Sequence, residues 1–149
     1  MSDACQLVVL RLDNQLYGLK LHTVERVIQA IEVSPLPGAP ASVMGAVNVQ
    51  GQVLPVFNLR QRFGLPEQPL SLSDQIVLAH TAQRLVGVCV DAVDGVVSYS
   101  AEQIIEAEAL VPGVAYVQGV LKLPDGLILI HDLDTFLSSQ ERQALDEAL

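Results

Sequence analysis

Two copies of one pattern run through this chain, and a repeat of that kind constrains the fold before any single residue does. Tyr17-Gly18-Leu19-Lys20-Leu21-His22-Thr23-Val24-Glu25-Arg26-Val27-Ile28 aligns without a gap on Val86-Gly87-Val88-Cys89-Val90-Asp91-Ala92-Val93-Asp94-Gly95-Val96-Val97. Each stretch reads as strand, corner, strand. A second pair follows in the same order: Gly45-Ala46-Val47-Asn48-Val49 and Val53-Leu54-Pro55-Val56-Phe57-Asn58-Leu59 match Gly119-Val120-Leu121-Lys122-Leu123 and Leu127-Ile128-Leu129-Ile130-His131-Asp132-Leu133. The chain therefore contains two copies of one small unit.

Composition says what kind of unit. Half of the residues are apolar but only 4% are aromatic, so the core is aliphatic, and clustered Val and Leu favour strands over helices. Residues 7–12 and 15–21 bracket Asp13-Asn14, and residues 76–80 and 84–90 bracket Thr81-Ala82-Gln83; both read as hairpins. A later hairpin in each copy closes on Gln50-Gly51 or on Pro124-Asp125-Gly126, where glycine supplies the positive φ of a tight turn. Four or five strands per copy is the size of an SH3-like barrel, and closure would remove exposed edges. The expected spans are 7–66 and 75–135, with Glu67 to Asp74 as the linker.

Helix is a minor component. Pro35, Pro37 and Pro40 fix an extended connection, after which Ala41 to Met44 has room for one helical turn. Ser138 and Glu141 make a capping box for a short helix over 138–149, with Ala144, Leu145, Ala148 and Leu149 on one face.

The formal net charge is −9, from 8 Lys+Arg against 17 Asp+Glu, and no stretch gathers the basic residues. Nucleic acid and anionic membranes, which need clustered cations, are poor partners. The first residues, Met1-Ser2-Asp3-Ala4-Cys5-Gln6, do not resemble a secretory signal, and each apolar run is broken by polar or turn-forming residues. These features lead to the expectation of a cytoplasmic protein without direct membrane insertion. Cys5 and Cys89 have neither metal spacing nor a disulfide framework, and Cys89 reads as a small buried hydrophobe.

Candidate chemistry is sparse. His131-Asp132-Leu133-Asp134 has the residue types of a metal site, and a metal-binding enzyme using His131, Asp132 and Asp134 is the alternative reading. The repeat favours a simpler one: Asp132 falls where the first copy has Asn58, at a strand end where a short polar side chain caps the following turn. His22 and His80 have no ligand-type neighbours in sequence and read as surface or strand-end residues. Glu102 and Glu106 would share a helix face, where like charges repel, and with Glu108 they read as a solvated acidic surface. Phosphate cradles and nucleophile elbows are absent from the sequence. Ile76-Val77-Leu78-Ala79 and Val86 to Val90 are apolar on both alternating faces, so each requires cover on two sides, from its own barrel and from its sister or a partner protein.

Tyr17-Gly18-Leu19 with Val24 and Val27, Leu36-Pro37-Gly38-Ala39-Pro40, the Gly45 to Gly51 segment, Val53 to Arg60, and Val86-Gly87-Val88 with Val90 to Val93 together resemble CheW-like domains along nearly the whole chain. The resemblance implies an all-β fold of two intertwined five-stranded SH3-like barrels with short helices, no enzymatic activity, no cofactor and no metal. It implies an adaptor in bacterial chemosensory signalling, in the cytoplasm and recruited to membrane-bound receptor arrays. Its partners would be the regulatory domain of a CheA-type histidine kinase, the cytoplasmic tip of a chemoreceptor, and other CheW-like domains. The family's receptor groove would fall here on Val24, Arg26, the Asn48-Val49-Gln50-Gly51 turn, Ile76 and Val77. The family commonly has Arg at the position of Gln50 and an acidic residue at that of Arg26. If those two ordinarily pair, both partners have changed together here, and Arg26 with Gln50 could still hydrogen-bond without an ion pair. The same departure motivates an alternative reading, a diverged scaffold in a non-flagellar pathway such as surface motility or development.

Overall fold

The computed structural model describes residues 4–30, 32–69, 71, 73–106, 117–124 and 126–149. Strands β1 (Ala4–Leu12) and β2 (Gln15–Lys20) form the first hairpin. β3 (Val24–Gln29), β4 (Val43–Val49), β5 (Gln52–Phe57) and the short helix α1 (Leu59–Phe63) complete the first copy. The second copy has β6 (Gln75–His80), β7 (Leu85–Val90), β8 (Ala92–Ser100), β9 (Ile104–Glu106), β10 (Val117–Leu123) and β11 (Gly126–His131), followed by α2 (Ser139–Ala148).

The strands form a six-stranded sheet in the order β8-β1-β2-β11-β10-β9 and a five-stranded sheet in the order β3-β6-β7-β5-β4. The sixth strand of the larger sheet is the three-residue β9, which adds to the outer side of β10 through Gly119↔Glu106 and its neighbours.

These sheets belong to two units, Met1–Val24 with Asp91–Phe136 and Glu25–Val90 with Leu137–Leu149. The expected spans 7–66 and 75–135 are therefore the sequence repeats rather than the units. The chain leaves the first unit after Val24 and returns to it at Asp91, which is the corner of the strand-corner-strand pattern in each copy. The first unit combines the β1–β2 hairpin of one copy with β8–β11 of the other, and the second combines β3–β5 with β6–β7.

The repeat also survives in the pairing. In the first unit β11 runs parallel to β2, with Ile130 opposite Gly18; in the second β5 runs parallel to β7, with Val56 opposite Gly87. Gly18 and Gly87 are equivalent in the sequence alignment, as are Ile130 and Val56. Neither glycine has space for a side chain without displacement: an added Cβ would lie 3.0 Å from Ile128 Cγ2 at Gly18 and 3.0 Å from Ile76 Cγ2 at Gly87. Equivalent bulges follow, between Val43 and Gly45 in β4 and between Val117 and Gly119 in β10.

Each unit has its own aliphatic core. In the first, Leu7, Val9, Tyr99, Leu121, Ile128 and Ile130 cluster; in the second, Val47, Leu54, Val56, Ile76 and Leu78 do so, with Ile28, Met44 and the half-buried Cys89 packed against them. Each fully buried Val or Leu of this kind contributes about 1.5–3 kcal/mol. The apolar run Leu7-Val8-Val9-Leu10 is buried at every position, so both faces of β1 are covered, as its lack of polar alternation requires.

Where one helical turn is expected at Ala41 to Met44, Ala41 and Ser42 make a single hydrogen-bonded turn, the Val43 amide donating to the Pro40 carbonyl at 2.9 Å, and strand begins directly at Val43. Pairing of Val43 with Phe57 draws that stretch into the ladder. The turn at Gly126 includes Asp125, and the linker includes Leu70 and Leu72; these three positions lie outside the described residues, as does Glu108. At the C-terminus, Ser138 and Glu141 form the capping box, each side chain accepting from the other's backbone amide at 3.1 and 3.0 Å.

Candidate functional site

The Asn48–Gly51 turn joins β4 to β5 with two residues between Val49 and Gln52. Gln50 and Gly51 both have positive φ, 53° and 84°, the pair of left-handed residues that matches the twist of a two-residue hairpin. Glycine takes this conformation freely, while a glutamine there costs strain of the kind a rigidly framed turn can hold. Asn48 braces the turn, its Oδ1 accepting from the Gly51 amide at 2.9 Å. Asn48, Gln50 and Gly51 are all exposed, so three of the expected site residues come together on one projecting tip.

Val53, directly opposite Asn48 in the ladder, is 58% exposed. The equivalent residue of the other copy, Leu127 at the start of β11, is also exposed. The sequence carried a signal for this pair, since the alignment of the two copies matches them, but each lies in a continuous apolar run in which alternation marks no exposed face.

The remaining expected residues are distributed differently. Arg26 is exposed on β3, which stands at one end of the strand order of its sheet while β4 stands at the other. Among the described residues no hydrogen bond joins Arg26 to Gln50. Val24 opens β3, is half-buried, and belongs with the first unit. Ile76 and Val77 are both 0% exposed. β6 lies between β3 and β7, and consecutive residues of a strand point to opposite faces, so burial of both means that each face of β6 is covered within the chain. Neither residue offers a surface to a partner.

Beside this strand, His80 Nε2 lies 3.6 Å from Glu25 Oε1, an ion pair only when the imidazole is protonated. His22 is exposed in the single 3-10 turn Leu21–Thr23. Both histidines occupy the surface or strand-end positions expected of them.

The His131 cluster is arranged for structure. The His131 ring is buried and packs against Phe136 with centroids 5.6 Å apart. Asp132 Oδ1 accepts from the Asp134 amide at 3.0 Å, capping the turn Leu133–Thr135, while Asp134 is exposed. In the other copy Asn58 Oδ1 accepts from the Gln61 amide at 3.2 Å at the start of α1, so the equivalent residues do the same work. Among the described residues no three His, Cys, Asp or Glu side chains gather as metal ligands. Glu102 sits in a 3-10 turn and Glu106 ends β9; they share no helix face, and both are exposed.

Sequence reading missed the polar contacts of α2. Glu141 accepts from Ser42 Oγ at 2.7 Å and pairs with Arg62, and Asp146 pairs with Arg84. Partners so far apart in sequence leave no local pattern to find. Among the described residues no helix is long and apolar enough to cross a membrane.

Comparison with known proteins matches this arrangement. The sequence profile of the CheW-like domain matches residues 6–141. The chemotaxis protein CheW of Treponema pallidum is 29% identical over 97% of this chain and 88% of its own length, and that of Rhizobium meliloti is 28% identical over 93% and 91%. Among solved structures, the crystal structure of the scaffolding protein TtCheW from Thermoanaerobacter tengcongensis superposes with a TM-score of 0.83 at 27% identity, covering 92% of this chain and 94% of the other.

Proposed function

The chain belongs to the CheW family of chemotaxis adaptor proteins, and on that premise we propose that it couples the cytoplasmic tip of a chemoreceptor to the regulatory domain of a CheA-type histidine kinase. It is a scaffolding protein and not an enzyme. The observation that carries the proposal is the extent of the likeness: the CheW-like profile runs from residue 6 to residue 141, through both sequence copies and both units. Such a protein acts stoichiometrically, by holding two partners together, so its surface matters more than any reactive group.

For the receptor contact, support comes from the exposed part of the expected set. The Asn48–Gly51 tip is fixed by its own hydrogen bond and carries polar side chains beside an exposed Val53, a mixture of apolar and hydrogen-bonding surface suited to a helical partner. Arg26 on β3 adds a cation. The protein acts in the cytoplasm, recruited to receptor arrays in the membrane.

The test is reconstitution with receptor-bearing vesicles and a CheA-type kinase from the same organism. The chain is expected to sediment with the vesicles, to bring the kinase down with it, and to place kinase activity under receptor control. Failure to bind either partner overturns the proposal. The pathway served, swimming or surface motility and development, is read from which kinase and receptor it joins.

A further inference from the structure

We infer that the first unit contains a binding cavity for a small amphipathic carboxylate, an apolar chain ending in one anionic head. The cavity has a volume of about 860 Å³, and every residue lining it belongs to that unit. It opens where strands of the six-stranded sheet bring residues of β1, β2, β8, β9, β10 and β11 together. Small-molecule sites typically measure roughly 300–1,000 Å³ and favour such places at the mouths of barrels.

Its floor is apolar. Ile130 and Tyr99, both buried, face it and are members of the core cluster of the unit, and the half-buried Ile104 packs against that cluster. An aliphatic ligand would thus extend the existing core.

The ionisable residues Lys20, His22 and Glu106 of its lining are all more exposed than Ile130 and Tyr99. Lys20 is half-buried and His22 exposed. Three arginines of the chain are engaged in ion pairs, Arg11 with Asp94, Arg62 with Glu141 and Arg84 with Asp146, and none of the three lines the cavity. Among the described residues the Lys20 ammonium has no hydrogen-bond or ion-pair partner, although the chain holds 17 acidic residues against 8 basic ones. A partly desolvated cation is stabilised by an anion brought to it. Glu106 also lines the cavity, from β9, and repels an anion, so the head is expected to pair with Lys20 rather than near Glu106.

The experiment is titration calorimetry of the full chain with decanoate below its micellar concentration, with decanol and decyltrimethylammonium as probes of the same length. Saturable one-to-one binding of decanoate, weaker binding of decanol and none of the cation is expected. Lys20→Met should weaken decanoate about tenfold, the loss of one charge-assisted contact, and Ala101→Trp, at an exposed lining position, should abolish binding by filling the cavity. Thermal unfolding checks that both variants fold, and either one alone suffices for the test. Equal binding of all three probes, no binding of decanoate, or affinity unchanged in the folded variants overturns the inference. Loss of kinase binding in Ala101→Trp without any decanoate binding also overturns it, identifying the cavity as a protein-docking surface. Because the readout needs neither kinase nor receptor, its failure is distinct from failure of the coupling function.

Discussion

Arg62 of α1 and Glu141 of α2, separated by 79 positions in sequence, form an ion pair, and Ser42 donates to the other oxygen of the same carboxylate. This carboxylate is the polar anchor of the C-terminal helix, whose Leu145 is buried. Burial of Glu141 works against its ionised form, but the Ser138 amide, the Ser42 hydroxyl and the Arg62 guanidinium outweigh it and lower the pKa from 4.5 to about 2. Since the folded-state value lies below the unfolded one, the stabilisation is complete above the unfolded value and is lost as the pH falls from about 4.5 toward 2. Glu141→Gln should cost about 1–2 kcal/mol at pH 7, with the gap to the parent narrowed to about half or less at pH 3. Urea unfolding at the two pH values measures it, and a gap independent of pH would contradict the assignment.

Val77 and Arg26 should separate folding from binding. Val77 is 0% exposed, so Val77→Asp buries an unpaired carboxylate and should cost more than about 4 kcal/mol, leaving little folded protein. Arg26→Glu, on an exposed position, should leave stability within about 0.5 kcal/mol and weaken receptor sedimentation. Circular dichroism melts and the vesicle assay give the two readouts. A receptor contact on β3 is excluded if Arg26→Glu binds like the parent.

Gly45 and Gly51 both have positive φ but should respond very differently to alanine. At Gly51 nothing lies within 4 Å of an added Cβ, so the cost is the left-handed backbone alone, about 1–2 kcal/mol. At Gly45 the Cβ would lie 2.2 Å from the Ser34 carbonyl oxygen. That oxygen is held in place, since Ser34 and Ala46 exchange hydrogen bonds of 2.9 and 2.8 Å. Gly45→Ala should therefore break the bridge and cost clearly more than Gly51→Ala in thermal unfolding; equal losses would show that the backbone at Ser34 yields.

Gln50→Asn keeps a polar side chain but suits positive φ better. It should raise stability by up to about 1 kcal/mol. If Gln50 contacts the receptor through its longer side chain, the same variant should bind less well, so stability and affinity should move in opposite directions. An increase in both would mean that the tip contributes only its backbone shape.

Much of the architecture was legible because the copies keep their pattern. The pairs Gly18/Gly87 and Val56/Ile130 could be aligned from residue types alone, and they occupy matching places in the two parallel ladders. Asn58 and Asp132 were readable as caps for the same reason. What local pattern does not contain is which strand pairs with which. Arg11 meets Asp94 because β1 pairs with β8 across a bulge in which Asp94 is the extra residue between Val93 and Gly95, and no spacing in the chain announces that. The same gap explains Ile76 and Val77. Their two-faced apolarity correctly demanded cover, but whether this chain or another protein supplied it depended on tertiary contacts. The cavity near Lys20 was invisible for the related reason that its walls come from segments spread between Cys5 and Ile130.

The crossing of the chain at Val24 and Asp91 sets an order on biosynthesis. When the ribosome has released only the first ninety residues, β1 and β2 exist but their neighbours β8 and β11 do not, and the nascent hairpin must wait with its Leu and Val side chains uncovered. Neither unit is complete until the segment from Gly126 to Ala148 has emerged, because β11 closes one and α2 the other. A truncated message therefore yields no half-sized working fragment. Separately expressed halves, divided in the 67–74 connection, would have to recognise each other before either acquired a core.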